Sequence, residues 1–252
     1  MELLQPAIAV LISLFISVRA YKKKSLDFTG ALSGFLVFVL HLALNIRFGA
    51  ILLVFFLTSS KLTKVGKEKK GLIDEHYREG GQRNWIQVLC NSGIACVLTM
   101  AIWILTNGEE RCLNNEESVT VTCLIGAFIG HYSCCIGDTW SSELGVLSDS
   151  RPYLITTFKQ VQKGTNGAVT IEGLVAAAAG GAVIGTTFVC VGFLTTNCSS
   201  DVAMKQFLAI PLSTLAGLGG SLIDSFLGAT LQYSGFCSMR KKDRLFLNQD
   251  QQ

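Results

Sequence analysis

Four carboxylates stand within or beside long apolar stretches: Asp138, Glu143, Glu172 and Asp224. Ionisable groups at membrane depth are costly to insert and mark cavities, partners or substrate paths. Asp138 and Glu143 belong to IGDTWSSELG (136–145), which follows nineteen residues, SVTVTCLIGAFIGHYSCCI (118–136), without Asp, Glu, Lys or Arg. Ser141 and Ser142 come one helical turn after Asp138. Carboxylate and hydroxyl oxygens of this kind suit a hard cation such as magnesium, which keeps waters and takes oxygens from phosphates. Asp138 as the N-cap of a helix TWSSELG is the alternative. Asp224 stands in GLGGSLIDSFLGATLQY (217–233). On a helix, Gly220, Asp224, Gly228 and Gln232 share one face with almost no bulk around the carboxylate. That face can admit a ligand or metal, or serve as a helix contact with Asp224 bonded to a neighbouring backbone.

Anion chemistry is available nearby in the chain. KGTNGAVTIEG (163–173) places Lys163 and the turn Gly164-Thr165-Asn166-Gly167 ahead of an apolar run. Amides at a helix start attract anions, although a turn with a helix cap uses the same glycines. The basic loop 61–87 contains a Gly80-Gly81 break and then Gln82, Arg83 and Asn84, which can donate to a phosphate at the membrane surface. His41, His76 and His131 have neither metal-ligand nor triad spacing and receive no role.

The elements that must position these groups are membrane helices. Half the residues are hydrophobic, 15% are charged and the mean hydropathy is +0.45. A soluble domain carries roughly a quarter charged residues, so composition points to an all-α integral membrane protein. The net charge of +3 is too small for a nucleic-acid binder. Seven apolar stretches are expected to span the bilayer, at 3–18, 28–45, 47–60, 85–106, 118–137, 168–195 and 206–230. Together they form a polytopic helical bundle in a single membrane domain, 1–236, followed by a short polar cytoplasmic tail, 237–252.

Loop charge orients the bundle. With the lysines after the first span inside, 18 of the 21 basic residues are cytoplasmic, and only Arg47, Arg111 and Lys205 lie outside. The N-terminus is then outside and the C-terminus cytoplasmic. The first span has its charges after the apolar run and reads as a retained anchor rather than a signal peptide. Among nine cysteines no zinc spacing occurs, and Cys112 and Cys198 fall on the same outer side, where a disulfide is one reading.

Four motifs in order, EGGQRNWIQVLCN, GDTWSSELG, KGTNGAVTIEGL and GSLIDSFLGATLQYSG, make residues 19–236 resemble the transmembrane protein 19 family, which includes plant phytyl-phosphate kinases. The resemblance implies magnesium-dependent phosphoryl transfer from a nucleotide to an isoprenoid monophosphate in the membrane, an internal one such as the endoplasmic reticulum. It implies that Asp138, Glu143 and Asp224 hold the metal and do the catalysis, while Arg83, Lys163, Gly164, Thr165, Asn166 and Gly167 bind phosphates. A non-catalytic scaffold or a small-molecule transporter is the competing reading. After Gly235 the chain departs from the family pattern: FCSMRKKDRLFLNQDQQ stands where an asparagine-rich motif and a final hydrophobic segment are expected.

Overall fold

The computed structural model describes residues 4–66, 70, 81–237 and 242–246. Gly80, His76 and most of the expected tail lie outside the described residues. Among the described residues, seven long helices coincide with the seven expected spans: α1 (Leu4–Lys22), α2 (Phe28–Leu44), α3 (Ile46–Thr63), α4 (Trp85–Leu105), α5 (Val119–Gly145), α6 (Ile171–Thr195) and α8 (Ala209–Leu231). A short α7 (Ser200–Gln206) leads into α8. Five segments are long and apolar enough to cross a bilayer, namely Ile46–Thr63, Trp85–Leu105, Val119–Gly145, Ile171–Thr195 and Ser200–Leu231.

Local chemistry sets the helix starts. Asp27, Asn45, Asn84, Ser118 and Thr170 each accept a bond from a backbone N–H of the first turn, satisfying donors the helix itself cannot. Asn84 and Gln87 form a reciprocal capping box. Asn84, read from sequence as a phosphate donor, spends its Oδ1 and backbone N–H on this cap and also lines the cavity described below. Asp138 lies inside α5, which continues unbroken to Gly145, so its N-cap reading does not hold.

The tightest packing joins α5, α6 and α8, and glycine makes it possible. A Cβ on Gly217 of α8 would sit 2.7 Å from the Ala177 carbonyl and 3.0 Å from the Gly181 Cα of α6. Gly137 of α5 meets the Gly217 backbone, and Gly220 of α8 meets Cys134 of α5. Where lipid supplies no hydrophobic drive between helices, such close backbone approach supplies the packing energy.

Around this trio, α3 packs on α5 and α6, α4 on α5 and α2, and α1 on α2. The core is aromatic: Phe48 stacks on Phe128 at 4.0 Å between centroids, and Phe55 and Phe128 surround Tyr132. The buried Tyr132 hydroxyl meets His41 Nε2 at 3.1 Å, while His41 Nδ1 lies 2.9 Å from the Val37 carbonyl. His131 Nε2 contacts the Asn91 carbonyl at 2.9 Å. Both histidines are thus parts of the interhelical packing.

The two ends of the bundle differ. At one end Cys112 and Cys198 form a disulfide. Beside it, buried Arg47 donates to the Arg111 carbonyl at 2.5 Å, faces Glu110 at 3.5 Å and lies over the Phe188 ring. Glu110 in turn accepts from Thr195 and Thr196, both at 2.7 Å. At the other end, a two-stranded ladder joins β1 (Tyr153–Leu154) to β2 (Ala168–Val169) between α5 and α6. A hairpin of β3 (Tyr233–Cys237) and β4 (Lys242–Phe246) follows α8, so the expected boundary between bundle and tail falls inside β3.

Candidate functional site

One cavity of about 730 Å³ opens at the end that carries the β1–β2 ladder. Its walls include Arg83, Asp138, Glu143, Lys163, Gly164, Thr165, Asn166, Gly167 and Asp224, every residue singled out from sequence as catalytic, metal-binding or phosphate-binding.

The floor is built by the glycine contacts. Gly137 against Gly217 and Gly220 against Cys134 bring α5 and α8 together. Asp138 and Asp224 then line the same cavity, close enough for their charges to interact. Two carboxylates this close are stabilised by a shared proton or by a cation between them. The glycine face of α8 is therefore used on both sides of Asp224: Gly220 receives α5, and Gly228 receives Gly167. It is a packing surface that leaves the carboxylate itself on the cavity wall.

The second wall is the 163–167 turn. Gly164 and Gly167 adopt φ of +93° and +76°, which a side chain rarely tolerates. A Cβ on Gly167 would also collide with Ala229 and the Ser225 carbonyl, so glycine is what lets the turn dock on α8 next to Asp224. The turn does not itself start α6; that helix begins after β2, capped by Thr170. Lys163 lines the cavity and its ammonium donates to the Ser148 carbonyl.

Arg83 forms the third wall. Its N–H donates to the Ser25 carbonyl at 3.1 Å and its carbonyl accepts from Asp27 N–H at 3.1 Å, pinning the backbone to the α1–α2 turn. Its Nη1 donates to Ser60 Oγ at 3.0 Å. Burial pushes the guanidinium down from its ordinary value and the Glu143 carboxylate opposes that shift. An arginine remains a cation under such conditions.

Glu143 lies apart from the aspartates. It follows Asp138 by five positions, about 140° around a helix, so the two carboxylates leave α5 in different directions. Its Oε2 meets buried Lys70 Nζ at 2.5 Å, and Lys70 also donates to the Leu62 carbonyl at 3.0 Å. Among the described residues no group of three His, Cys, Asp or Glu side chains comes together as a metal site. The structure thus assembles two of the three carboxylates expected to hold metal and gives the third to a lysine. Lys70 and the Ser221 and Ser225 hydroxyls on the cavity wall were missed from sequence; the serines flank Asp224 at one turn and one residue, a spacing that could have found them.

The donors that meet here, two carboxylates with nearby serine hydroxyls, are all oxygens and fit a hard cation such as magnesium. Lys163, Arg83 and the turn amides fit an anion such as phosphate.

Long apolar helices gathered round a charged cavity at one end define a multi-pass integral membrane protein with a polar site at its mouth. Residues 11–247 match the family of integral membrane proteins known as DUF92, and the chain belongs to that family. It is 62% identical over 234 residues to Protein PGR of Arabidopsis thaliana, covering 93% of this chain and 81% of that protein. It is 30% identical over 231 residues to a membrane protein of Methanocaldococcus jannaschii, covering 90% and 84% of the two chains. The chloroplastic protein VTE6 of Arabidopsis thaliana is 28% identical over 181 residues, 71% of this chain and 47% of VTE6. No solved structure matches.

Proposed function

We propose that this chain transfers the terminal phosphoryl group of a nucleoside triphosphate to the phosphate of a membrane isoprenoid monophosphate. A phosphate oxygen of the lipid forms the new P–O bond, the bond to the nucleotide's β-phosphate oxygen breaks, and nucleoside diphosphate and lipid diphosphate are released. The observation that carries the reading is the convergence of an aspartate pair, a lysine, an arginine and a glycine turn from four distant stretches of chain on one cavity. The resemblance of the four motifs to phytyl-phosphate kinases supplies the reaction class.

In such transfer the protein mainly positions two anions and neutralises their charge. Asp138 and Asp224 would hold magnesium, which would supply positive charge to offset that of the phosphates. Lys163 and the 164–167 amides would take one set of phosphates, and Arg83 the other. Glu143 would hold Lys70 and Arg83 at the cavity wall.

On this reading the cavity end is cytoplasmic, where nucleotide is available. Charge supports that side: 18 of the 21 basic residues fall in the segments after α1, between α3 and α4, between α5 and α6, and after α8. The test is to reconstitute the purified chain in liposomes with magnesium and γ-labelled nucleotides. A panel of isoprenyl alcohols and monophosphates is then supplied as acceptors. Label in an isoprenyl diphosphate is expected; label in none of the acceptors, with the protein folded, overturns the proposal.

A further inference from the structure

Inside a helix, serine and threonine hydroxyls commonly return to a carbonyl one turn back, which satisfies them without a partner on another element. On α5 this holds for Ser133, Thr139 and Ser142. On α8 it holds for Ser213, Thr214 and Thr230. Ser221 of α8 is different. It is 1% exposed and lines the main cavity, and among the described residues no group bonds its hydroxyl. Lys70 and Thr63, the next most enclosed polar residues of that wall, both have partners. A buried hydroxyl left unpaired is costly, so one that borders a cavity marks the place of a ligand.

We propose that Ser221 supplies the third protein oxygen to a hard divalent cation seated between Asp138 and Asp224, the place Glu143 was expected to fill. For the cation's task the inference rests on the phosphotransfer reading; for its binding it does not. Ser221 precedes Asp224 by three positions, so the two side chains leave α8 on one face, while Asp138 comes from α5. Serine hydroxyl together with aspartate is a donor set that other nucleotide-binding proteins use for magnesium. Three oxygens from two helices leave the rest of an octahedral shell to water and phosphate. A hydroxyl also adds a ligand without a third negative charge, which the two carboxylates would repel.

The position of Ser221 is fixed by the backbone on either side of it. Gly217 lies against α6, Gly220 against Cys134 of α5, and Gly228 against Gly167 of the turn. A Cβ on Gly220 would stand 2.7 Å from that of Cys134. The helix therefore cannot roll Ser221 away from the aspartates without breaking these contacts, and the hydroxyl is held in place before any cation arrives.

The experiment uses the full chain in detergent, without nucleotide or lipid, and reads free Mn²⁺ by electron paramagnetic resonance. The parent is expected to bind Mn²⁺ in competition with Mg²⁺. Ser221→Ala should weaken Mn²⁺ binding at least tenfold and leave Tm in chelator unchanged, since the hydroxyl has no bond to lose. Ser213→Ala, equally buried but bonded to the Ile210 carbonyl, should bind within twofold of the parent. Ser221→Cys exchanges a hard oxygen for a soft sulfur and should shift preference from Mn²⁺ towards Cd²⁺ at least a hundredfold relative to the parent. It also carries the test should Ser221→Ala fail to fold. Unaltered Mn²⁺ affinity in Ser221→Ala, an equal loss in Ser213→Ala, no shift towards Cd²⁺ in Ser221→Cys, or a parent that binds no Mn²⁺ each overturns the assignment. Cation binding that depends on Ser221 in a chain without phosphoryl transfer sustains this inference against the kinase reading. Transfer with Mn²⁺ binding indifferent to Ser221 does the reverse.

Discussion

Asp224 and Glu143 look alike in sequence, both acidic and both close to a helix end, yet the structure sets them to different tasks. Asp224 shares the cavity floor with Asp138. Asp224→Asn keeps the volume and hydrogen-bonding capacity while replacing a carboxylate oxygen with a weaker partner for a hard cation. The variant is expected to insert and accumulate normally, since losing a charge lowers insertion cost. Magnesium-dependent transfer should fall by about a hundredfold or more, the scale of one preorganised charge-stabilising group. An unchanged rate with unchanged magnesium dependence removes Asp224 from the metal site. Glu143→Gln leaves Lys70, whose side chain is 5% exposed, without its anion. Unpairing one member of a buried ion pair is strongly destabilising, and partial exposure of Glu143 reduces the cost to about 2 kcal/mol. A lower Tm of the purified variant should therefore accompany a smaller loss of activity than Asp224→Asn causes. Equal Tm for parent and variant would show that the pair contributes nothing to the fold.

At the scale of the element, the glycines of GLGGS (217–221) divide by what surrounds them. Gly217 sits in the α6–α8 crossing, where an added Cβ would lie 2.7 Å from the α6 backbone, whereas a Cβ on Gly219 would meet nothing within 4 Å. Gly217→Val should push α6 from α8, destabilise the bundle by about 3 kcal/mol and separate Asp138 from Asp224. Gly219→Ala should change stability by less than about 1 kcal/mol. Thermal unfolding of both in detergent distinguishes them, and equal behaviour would mean that the crossing is looser than described. The same logic explains the 163–167 turn, whose register is set by Gly167 lying on α8 and not by the start of α6.

At the scale of the whole molecule, the sequence expectation of termini on opposite sides rests on the distribution of basic residues. Epitope tags at residues 1 and 252 are expected to differ in protease protection, and shared protection would end the seven-span topology. The Cys112–Cys198 disulfide lies at the end remote from the cavity. An impermeant maleimide should reach these two cysteines only from the non-cytoplasmic side and only after reduction. Labelling without reductant in sealed vesicles would contradict either the bond or the orientation.

Much of this was legible along the chain, because it depends on near neighbours. Long uncharged runs mark helices wherever they fold, the apolar content implies a bilayer, and Asp224 among glycines reads as an anomaly without any partner in view. The motifs carried the family, and the cavity gathers every residue to which they gave a catalytic or phosphate-binding role. Pairing between distant segments was another matter. Asp138 and Glu143 are five positions apart yet diverge around α5, while Asp138 and Asp224, far apart in sequence, meet because Gly137 and Gly217 let two backbones touch. Lys70 reaches Glu143 across 73 positions. No local pattern specifies which glycine faces which helix, since that depends on crossing angles and depth set by all the packed helices together. Tertiary structure alone therefore decided that two aspartates share the floor, that the third carboxylate answers to a lysine, and that Arg83 and the 163–167 turn meet on the same cavity.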